Sequence, residues 1–243
     1  MNRIIFVVLV SFFITATAWC EASKELLSLS PGEVTSGTAE GETGISYEIY
    51  TPTSFTAGNP PPVIIAFSPG GKAKQMIRAM KDSAEKAGWI LVGCNKLKNG
   101  LEGNELAYQM EDELLDHLYS KLPHDPCRVY LAGFSGGAMR AYEISARRKE
   151  RIAGIIAYGG WLGGQGYYDL EYCKYMAVAM VNGTNDSGAN NWADKDEAVL
   201  DDRRCEVKQF SFDGKHQIAP SDVTDECIEW LEKEWLRHGS KKK

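Results

Sequence analysis

The sequence lacks the features that mark several classes of protein. Its 243 residues hold 27 lysines and arginines against 33 aspartates and glutamates, a formal net charge of −6. A nucleic-acid-binding protein normally carries a basic face, whereas the one basic run here is the terminal stretch 241–243. No internal repeat or low-complexity segment occurs, which excludes repeat and fibrous proteins. An ordinary globular protein remains, and its length fits one α/β domain. From its charge we expect no nucleic acid as a partner.

Residues that bind metals and phosphates are also scarce. The six cysteines form no Cys-x-x-Cys pair, and none lies at ligand spacing from one of the four histidines. We therefore expect no metal site. Neither a Gly-Lys-Ser/Thr sequence nor a G-x-G-x-x-G fingerprint is present, which argues against a nucleotide phosphate site. If the protein is exported, its cysteines can form disulfides, whose pairing the sequence does not give.

Apolar residues form one long run, near the N-terminus. An asparagine and an arginine precede residues 4–14, which are apolar except for one serine. At 1.5 Å per helical residue this run is too short to cross a hydrocarbon core of about 30 Å. It fits the apolar region of a secretory signal peptide.

Small residues follow this run, as a cleavage site requires. We expect residues 1–22 to form a signal peptide, cleaved after Ala18 or Ala22, and residues 23–243 to form the folded domain. A retained anchor, either a lipid on Cys20 or the apolar run itself held in the membrane, is the alternative. Since no later run reaches eighteen consecutive apolar residues, the sequence predicts a secreted or periplasmic protein with no integral membrane segment after cleavage.

Hydrophobic patterning predicts strands that alternate with helices. The strands are expected at residues 45–50, 63–67, 89–93, 128–133, 152–158, 175–181 and 205–212, and the helices at residues 72–87, 101–122, 136–148 and 228–236. Residues 23–45 are interpreted as a polar leader. This alternation requires right-handed crossovers, and hence an α/β fold whose mostly parallel central sheet carries helices on both faces.

The motif most suggestive of chemistry is Gly-Phe-Ser-Gly-Gly at residues 133–137, a G-x-S-x-G sequence between a predicted strand and a predicted helix. A serine on such a sharp turn has a strained backbone, and its hydroxyl stands at the carboxyl end of the sheet. Flanking glycines let the strand and the helix approach closely. Ser135 is therefore the predicted nucleophile.

A serine is a weak nucleophile at neutral pH without a neighbouring base, so one of the four histidines is required. His117 lies within a predicted helix, and His238 lies in the polar tail. His124 precedes the strand that leads to Ser135, which places it at the opposite edge of the sheet. His216 alone follows a late strand, on a loop that can reach Ser135, and it is the predicted base.

A carboxylate that orients the histidine completes such a site. Asp186 lies just after the strand predicted at residues 175–181, at the same edge of the sheet, and is the first choice. Asp194, Asp196 and Asp213 remain alternatives.

An acyl-transfer site also needs hydrogen-bond donors for the oxyanion. The backbone N–H of Gly136, directly after the nucleophile, is one predicted donor. The second should come from the loop after the first buried strand. Since Pro69 has no N–H, Gly70 or Gly71 is the expected source.

Serine, aspartate and histidine in this order, each after a successive strand, resemble the α/β-hydrolase superfamily. Residues 47–52, 125–130 and 215–220 resemble its small exported esterases, the polyhydroxyalkanoate-depolymerase-like and dienelactone-hydrolase-like proteins. Many relatives carry a histidine before the oxyanion glycines, where this chain has Ser68 and Pro69. Many relatives also insert a helical lid after the strand that ends at residue 158, where the short glycine-rich segment of this chain predicts an open site without a large lid. The resemblance implies a cofactor-independent serine hydrolase that cleaves small-molecule or polymer-borne carboxylic esters through an acyl-enzyme.

Aromatic residues near the predicted site bear on the substrate. Trp161, Trp192, Tyr167 and Tyr168 either line an acyl or sugar subsite or only cover the ends of the sheet. The same catalytic residues also suit a serine peptidase or a thioesterase. A binding module without catalytic activity is a further alternative, since fold does not determine function.

Overall fold

The structure, a computed structural model, describes residues 25–101, 103–148 and 152–238. The predicted signal peptide, with its cleavage sites after Ala18 and Ala22, lies outside the described residues, as does the basic run 241–243. Within the described part of the chain, no helix combines the length and apolar character needed to span a membrane.

In the described ranges, eight strands form a single sheet in the order β1-β2-β4-β3-β5-β6-β7-β8. Pairing is antiparallel from β1 to β2 and from β2 to β4, and parallel across the rest of the sheet. The strands are β1 (Val34–Thr38), β2 (Ser46–Tyr50), β3 (Val63–Phe67), β4 (Ile90–Cys94), β5 (Val129–Phe134), β6 (Gly154–Tyr158), β7 (Ala177–Gly183) and β8 (Glu206–Phe212).

Helices cover both faces of the sheet. They are α1 (Ala73–Ala87), α2 (Glu105–Lys121), α3 (Gly136–Arg147), α4 (Gln165–Tyr168), α5 (Ser187–Asp202) and α6 (Ser221–His238). One hydrophobic core lies between the sheet and α1 with α6, and the other between the sheet and α2, α3 and α5. Alternate residues of β5 enter opposite cores: Leu131 packs on the α3 side and Tyr130 on the α1 side. Both faces are buried, which explains why the parallel strands are almost continuously apolar.

The predicted α/β class and the mostly parallel sheet are confirmed. Between β6 and β7, all of which the structure describes, the chain forms one short helix, α4, and no large lid. Every predicted strand and helix is present, with ends shifted by a few residues, although α6 begins at Ser221, seven residues before the predicted start at 228. Residues 23–45, interpreted as a polar leader, contain the first strand of the sheet, β1. Its five residues are half-buried and exposed in alternation at the sheet edge, so little apolar content marked them as a strand.

Helix α5 was also missed. Its buried residues are Ala189, Ala193, Asp196 and Leu200, which follow helical spacing. Two small residues and one charged residue among these four gave a weak hydrophobic pattern.

Parallel strands direct their carboxyl ends to one edge of the sheet, and this edge gathers the residues of interest. Ser135 directly follows β5, Asp186 follows β7 and His216 follows β8. The loops after β3 and β4 open at the same edge, where ligands bind in open α/β sheets.

Candidate active site

Ser135 occupies a sharp turn between β5 and α3. Its backbone has φ 54° and ψ −121°, a conformation that costs a residue with a side chain about 1–3 kcal/mol. Its N–H donates to the carbonyl of Tyr158 at 2.9 Å, which fixes the turn to β6. A Cβ on Gly133 would lie 2.1 Å from the Gly137 carbonyl oxygen, and one on Gly137 would lie 2.2 Å from that of Phe67. The two glycines thus allow strand and helix to meet closely, and the turn presents the serine hydroxyl at the sheet edge.

The structure brings together the three side chains that the sequence singled out. His216 Nε2 lies 2.9 Å from Ser135 Oγ, and His216 Nδ1 lies 2.7 Å from Asp186 Oδ2. The tautomer that satisfies both contacts carries its proton on Nδ1, so that Nδ1–H donates to the carboxylate and Nε2 accepts from the hydroxyl. The catalytic roles of the three residues remain a prediction.

Burial and packing hold this group of side chains in place. The Asp186 side chain is 5 % exposed, and its Oδ1 accepts from the N–H of Ala189 at 3.2 Å, which caps helix α5. The ring of Phe134 packs against the half-exposed ring of His216, with 4.9 Å between centroids. The carboxylate is therefore fixed by a helix start, while the imidazole stays open to solvent on one side.

The other histidines lie elsewhere. His117 and His124 are buried away from Ser135, and burial lowers the pKa of each. The placement of His238 in a polar tail is wrong: it ends α6 with its side chain buried, and its Nε2 lies 2.9 Å from a carboxylate oxygen of Glu206. Because β8 begins at Glu206, this pair lies at the edge of the sheet opposite Ser135.

Asp186, and none of the alternative aspartates, is hydrogen-bonded to His216 in the described part of the chain. Asp196 is buried, where burial raises its pKa, and its Oδ2 accepts from the N–H of Leu162 at 2.8 Å. Asp194 accepts from a glutamine side chain of β8 at 3.2 Å, and Asp213 is exposed on the loop before His216. Asp196 instead anchors the loop that carries Trp161.

A cavity of about 480 Å³ opens beside the serine. It is lined by Asn99, Ser135, Gly136, Met139, Gly159, Trp161, Asp186, Gly188, Ala189, Trp192 and His216. The rings of Trp161 and Trp192 lie 4.6 Å apart at 37° and form an aromatic wall. Tyr168 is buried in the core, and Tyr167 lines a separate depression with Tyr108. Only the two tryptophans of the predicted aromatic set therefore face this cavity.

The predicted oxyanion donors differ in their position. Gly136 begins α3 and lines the cavity, with its N–H in the first turn, where a helix has no internal acceptor for it. The N–H of Gly71 donates to the carbonyl of Ser68 at 3.0 Å and is used within its own loop. Neither Gly70 nor Gly71 is among the residues that line the cavity.

Sequence reasoning missed Asn99, which lines the cavity from the loop after β4. It also missed a buried ion pair beneath that loop, between Arg140 of α3 and Glu111 of α2, whose side chains are 2 % and 0 % exposed. Polar residues in a loop carry no pattern that separates a site residue from a solvated one. The one available signal was that Glu111, a charged residue, occupies a position where the helical spacing predicts a buried side chain.

One cluster of possible metal ligands lies at the opposite edge of the sheet. The ligand atoms of Glu206, Glu234 and His238 are within 4.8 Å of one another. Both carboxylate oxygens of Glu234 accept from Arg237, at 2.8 and 2.9 Å. Acidic and basic groups in this cluster thus pair with each other, and it gives no reason to infer a metal.

No protein-family model and no curated protein matches the chain by sequence. Solved structures match it in fold. An S-formylglutathione hydrolase from Agrobacterium tumefaciens has a TM-score of 0.65 at 14 % identity, covering 85 % of this chain and 97 % of that one. FphF, a fluorophosphonate-binding serine hydrolase of Staphylococcus aureus, has a TM-score of 0.64 at 14 % identity, covering 83 % and 99 %. A carboxylesterase of Bacillus cereus has a TM-score of 0.60 at 16 % identity, covering 83 % and 94 %. The chain therefore has the fold of the α/β-hydrolase superfamily.

Proposed function

We propose that the protein is a serine hydrolase that cleaves carboxylic esters through an acyl-enzyme. The observation that carries this proposal is the hydrogen-bonded series from Asp186 through His216 to Ser135, which ends at a solvent-open cavity. A likeness in fold to solved esterases and serine hydrolases supports the same conclusion.

In the first half of the reaction, Ser135 Oγ attacks the acyl carbon of the ester and forms the new C–O bond. The hydroxyl proton moves to His216 Nε2, and the carbonyl electron pair moves to the oxygen, which becomes the oxyanion. Asp186 stabilises the imidazolium at Nδ1. The oxyanion then collapses, the bond to the alcohol breaks, and Nε2 returns the proton to the departing alkoxide. An acyl group remains on Ser135.

In the second half, water replaces the alcohol. His216 Nε2 accepts a proton from the water as its oxygen attacks the acyl carbon. The second tetrahedral intermediate expels Ser135 Oγ, which regains its proton from Nε2, and the acid is released. This cycle needs no cofactor.

Features of the cavity bear on the substrate class. Its volume of about 480 Å³ and its open mouth suit a small ester or an ester borne on a polymer. The aromatic wall of Trp161 and Trp192 offers a flat apolar surface for the acyl or alcohol part. A thioester is the second candidate, because one solved structure of the same fold is an S-formylglutathione hydrolase, which acts on a thioester. Comparing the turnover of matched oxygen and sulfur esters of one acid distinguishes these two candidates.

We also propose that the protein is secreted or periplasmic, with residues 1–22 removed after Ala18 or Ala22. The N-terminal residue and intact mass of the protein recovered from its host test this directly. An uncleaved N-terminus, or a lipid on Cys20, would refute cleavage at these sites.

The central experiment is labelling with a fluorophosphonate probe, followed by mass mapping of the modified residue. We expect modification of Ser135, none in Ser135→Ala, and strongly reduced labelling in His216→Ala. Ester turnover in Ser135→Ala should fall by several orders of magnitude. Ser36→Ala, an exposed serine on β1, is the matched control and should behave as the wild type. Failure of the folded wild-type protein to react would overturn the proposal in favour of a binding module.

A further inference from the structure

A carboxamide forms part of the cavity wall next to the nucleophile. Asn99 lines the same cavity as Ser135 and Gly136. A Cβ built on Gly136 would lie 2.0 Å from Oδ1, 2.6 Å from Cγ and 2.7 Å from Nδ2 of Asn99. The carboxamide therefore packs directly on the Cα of Gly136, beside the N–H that follows the nucleophile. A half-turn of its terminal torsion exchanges oxygen and nitrogen, so Nδ2 can occupy either position.

The loop that carries Asn99 is held on both sides. The N–H of Asn99 donates to the carbonyl of Pro69 at 2.9 Å, which ties it to the loop after β3. The carbonyl of Lys98 accepts from the guanidinium of Arg140 at 3.3 Å, which ties it to the helix behind the nucleophile. Arg140 is itself paired with the buried Glu111. The backbone that carries the exposed side chain of Asn99 is thus held from both sides.

The loop after β3 leaves a place for such a donor. Pro69 has no N–H, and the N–H of Gly71 is donated to the carbonyl of Ser68. Gly70 and Gly71 do not line the cavity. Of the predicted backbone donors, the N–H of Gly136 alone belongs to the cavity wall, whereas an oxyanion hole normally has two donors.

We propose that the side-chain amide of Asn99 is the second oxyanion donor, an inference that rests on the proposed function. As Ser135 Oγ adds to the acyl carbon, the carbonyl electron pair moves to the oxygen, which accepts from Asn99 Nδ2–H and Gly136 N–H. Asn99 keeps its proton throughout, and the pair returns to the carbonyl when the leaving group departs. The same contact explains why residue 136 is glycine, since a Cβ there would displace the carboxamide.

The test compares Asn99→Leu, which keeps the branched shape without a donor, with Asn99→Ala, which removes both. We expect kcat for a small ester to fall on the order of 10²-fold in both variants, with KM changed less than about threefold. The affinity for a trifluoromethyl ketone, whose serine adduct carries the oxyanion, should fall with kcat. Asn59→Leu, an exposed asparagine before β3, is the matched control and should keep wild-type kinetics.

Three results would overturn the inference. A wild-type kcat in Asn99→Leu would show that Asn99 only lines the cavity, whatever the kcat of Asn99→Ala. A raised KM with unchanged kcat would show a contact made to the bound substrate and not to the transition state. Fluorophosphonate labelling separates the two levels of the argument: a wild-type protein that does not react at Ser135 refutes the proposed function and this inference with it. A reactive wild type with unimpaired Asn99→Leu refutes the inference alone.

Discussion

The strained backbone at Ser135 predicts a conflict between stability and activity that can be measured. At φ 54° and ψ −121°, a residue with a Cβ costs about 1–3 kcal/mol, whereas glycine accepts such a conformation. Glycine also raises the entropy of the unfolded chain, which offsets about 0.4–1 kcal/mol of the relief. We therefore expect Ser135→Gly to have a free energy of unfolding about 1 kcal/mol above that of Ser135→Ala.

The comparison between these two variants isolates the backbone. Both lose the hydrogen bond from Ser135 Oγ to His216 Nε2, so its contribution cancels. Urea denaturation followed by circular dichroism gives the difference, and the melting temperatures should differ by about 2–4 °C for a domain of this size. Neither variant should turn over esters. Equal stability of the two, or a less stable glycine variant, would refute the claim that the turn is strained at this residue.

Two further predictions concern carboxylates. Asp186→Asn should lower kcat by about 10⁴-fold, because the amide favours the wrong histidine tautomer. Its free energy of unfolding in urea should stay within about 1 kcal/mol of wild type, since asparagine also caps helix α5. A small loss of kcat would contradict the role of Asp186. Burial raises the pKa of Glu111 from 4.5 to about 7, against the opposing charge of Arg140. The folded state then holds this proton more tightly than the unfolded state, so the free energy of unfolding should fall, on the order of 2–3 kcal/mol, as pH rises from about 4.5 to about 7. Urea denaturation at several pH values across this range should show this fall in the free energy of unfolding for the wild type and not for Glu111→Gln. An equal pH dependence in the two proteins would contradict the prediction.

The strands with the clearest signal in the sequence are those whose residues are buried on both faces of the sheet. A run such as Val63–Phe67 is apolar throughout because helices cover both sides of β3. Strand β1 and helix α5 were missed for the opposite reason. Their stability comes from backbone pairing at a sheet edge and from one narrow buried stripe, neither of which requires large apolar side chains.

The same distinction applies to the candidate site. Ser135, Asp186 and His216 could be selected from the sequence because each follows a recognisable strand, and strand ends converge at one edge. Asn99 also follows a strand, yet its loop contains several polar residues with equal claims. What distinguishes Asn99 is that its carboxamide packs closely on the Cα of Gly136, and no spacing in the sequence encodes such a contact.

The buried pair of Glu111 and Arg140 connects packing to the proposed chemistry. Arg140 belongs to the helix whose first residue is Gly136, and its guanidinium also holds the carbonyl next to Asn99. One ion pair thus fixes the two proposed oxyanion donors relative to each other, although one begins helix α3 and the other lies on the loop after β4. A buried charge pair adds little net stability over apolar residues of similar size, so we expect this pair to act by positioning the two donors. Replacing the pair with apolar residues should then preserve the fold more fully than it preserves kcat, because only the second depends on where the carboxamide of Asn99 is held.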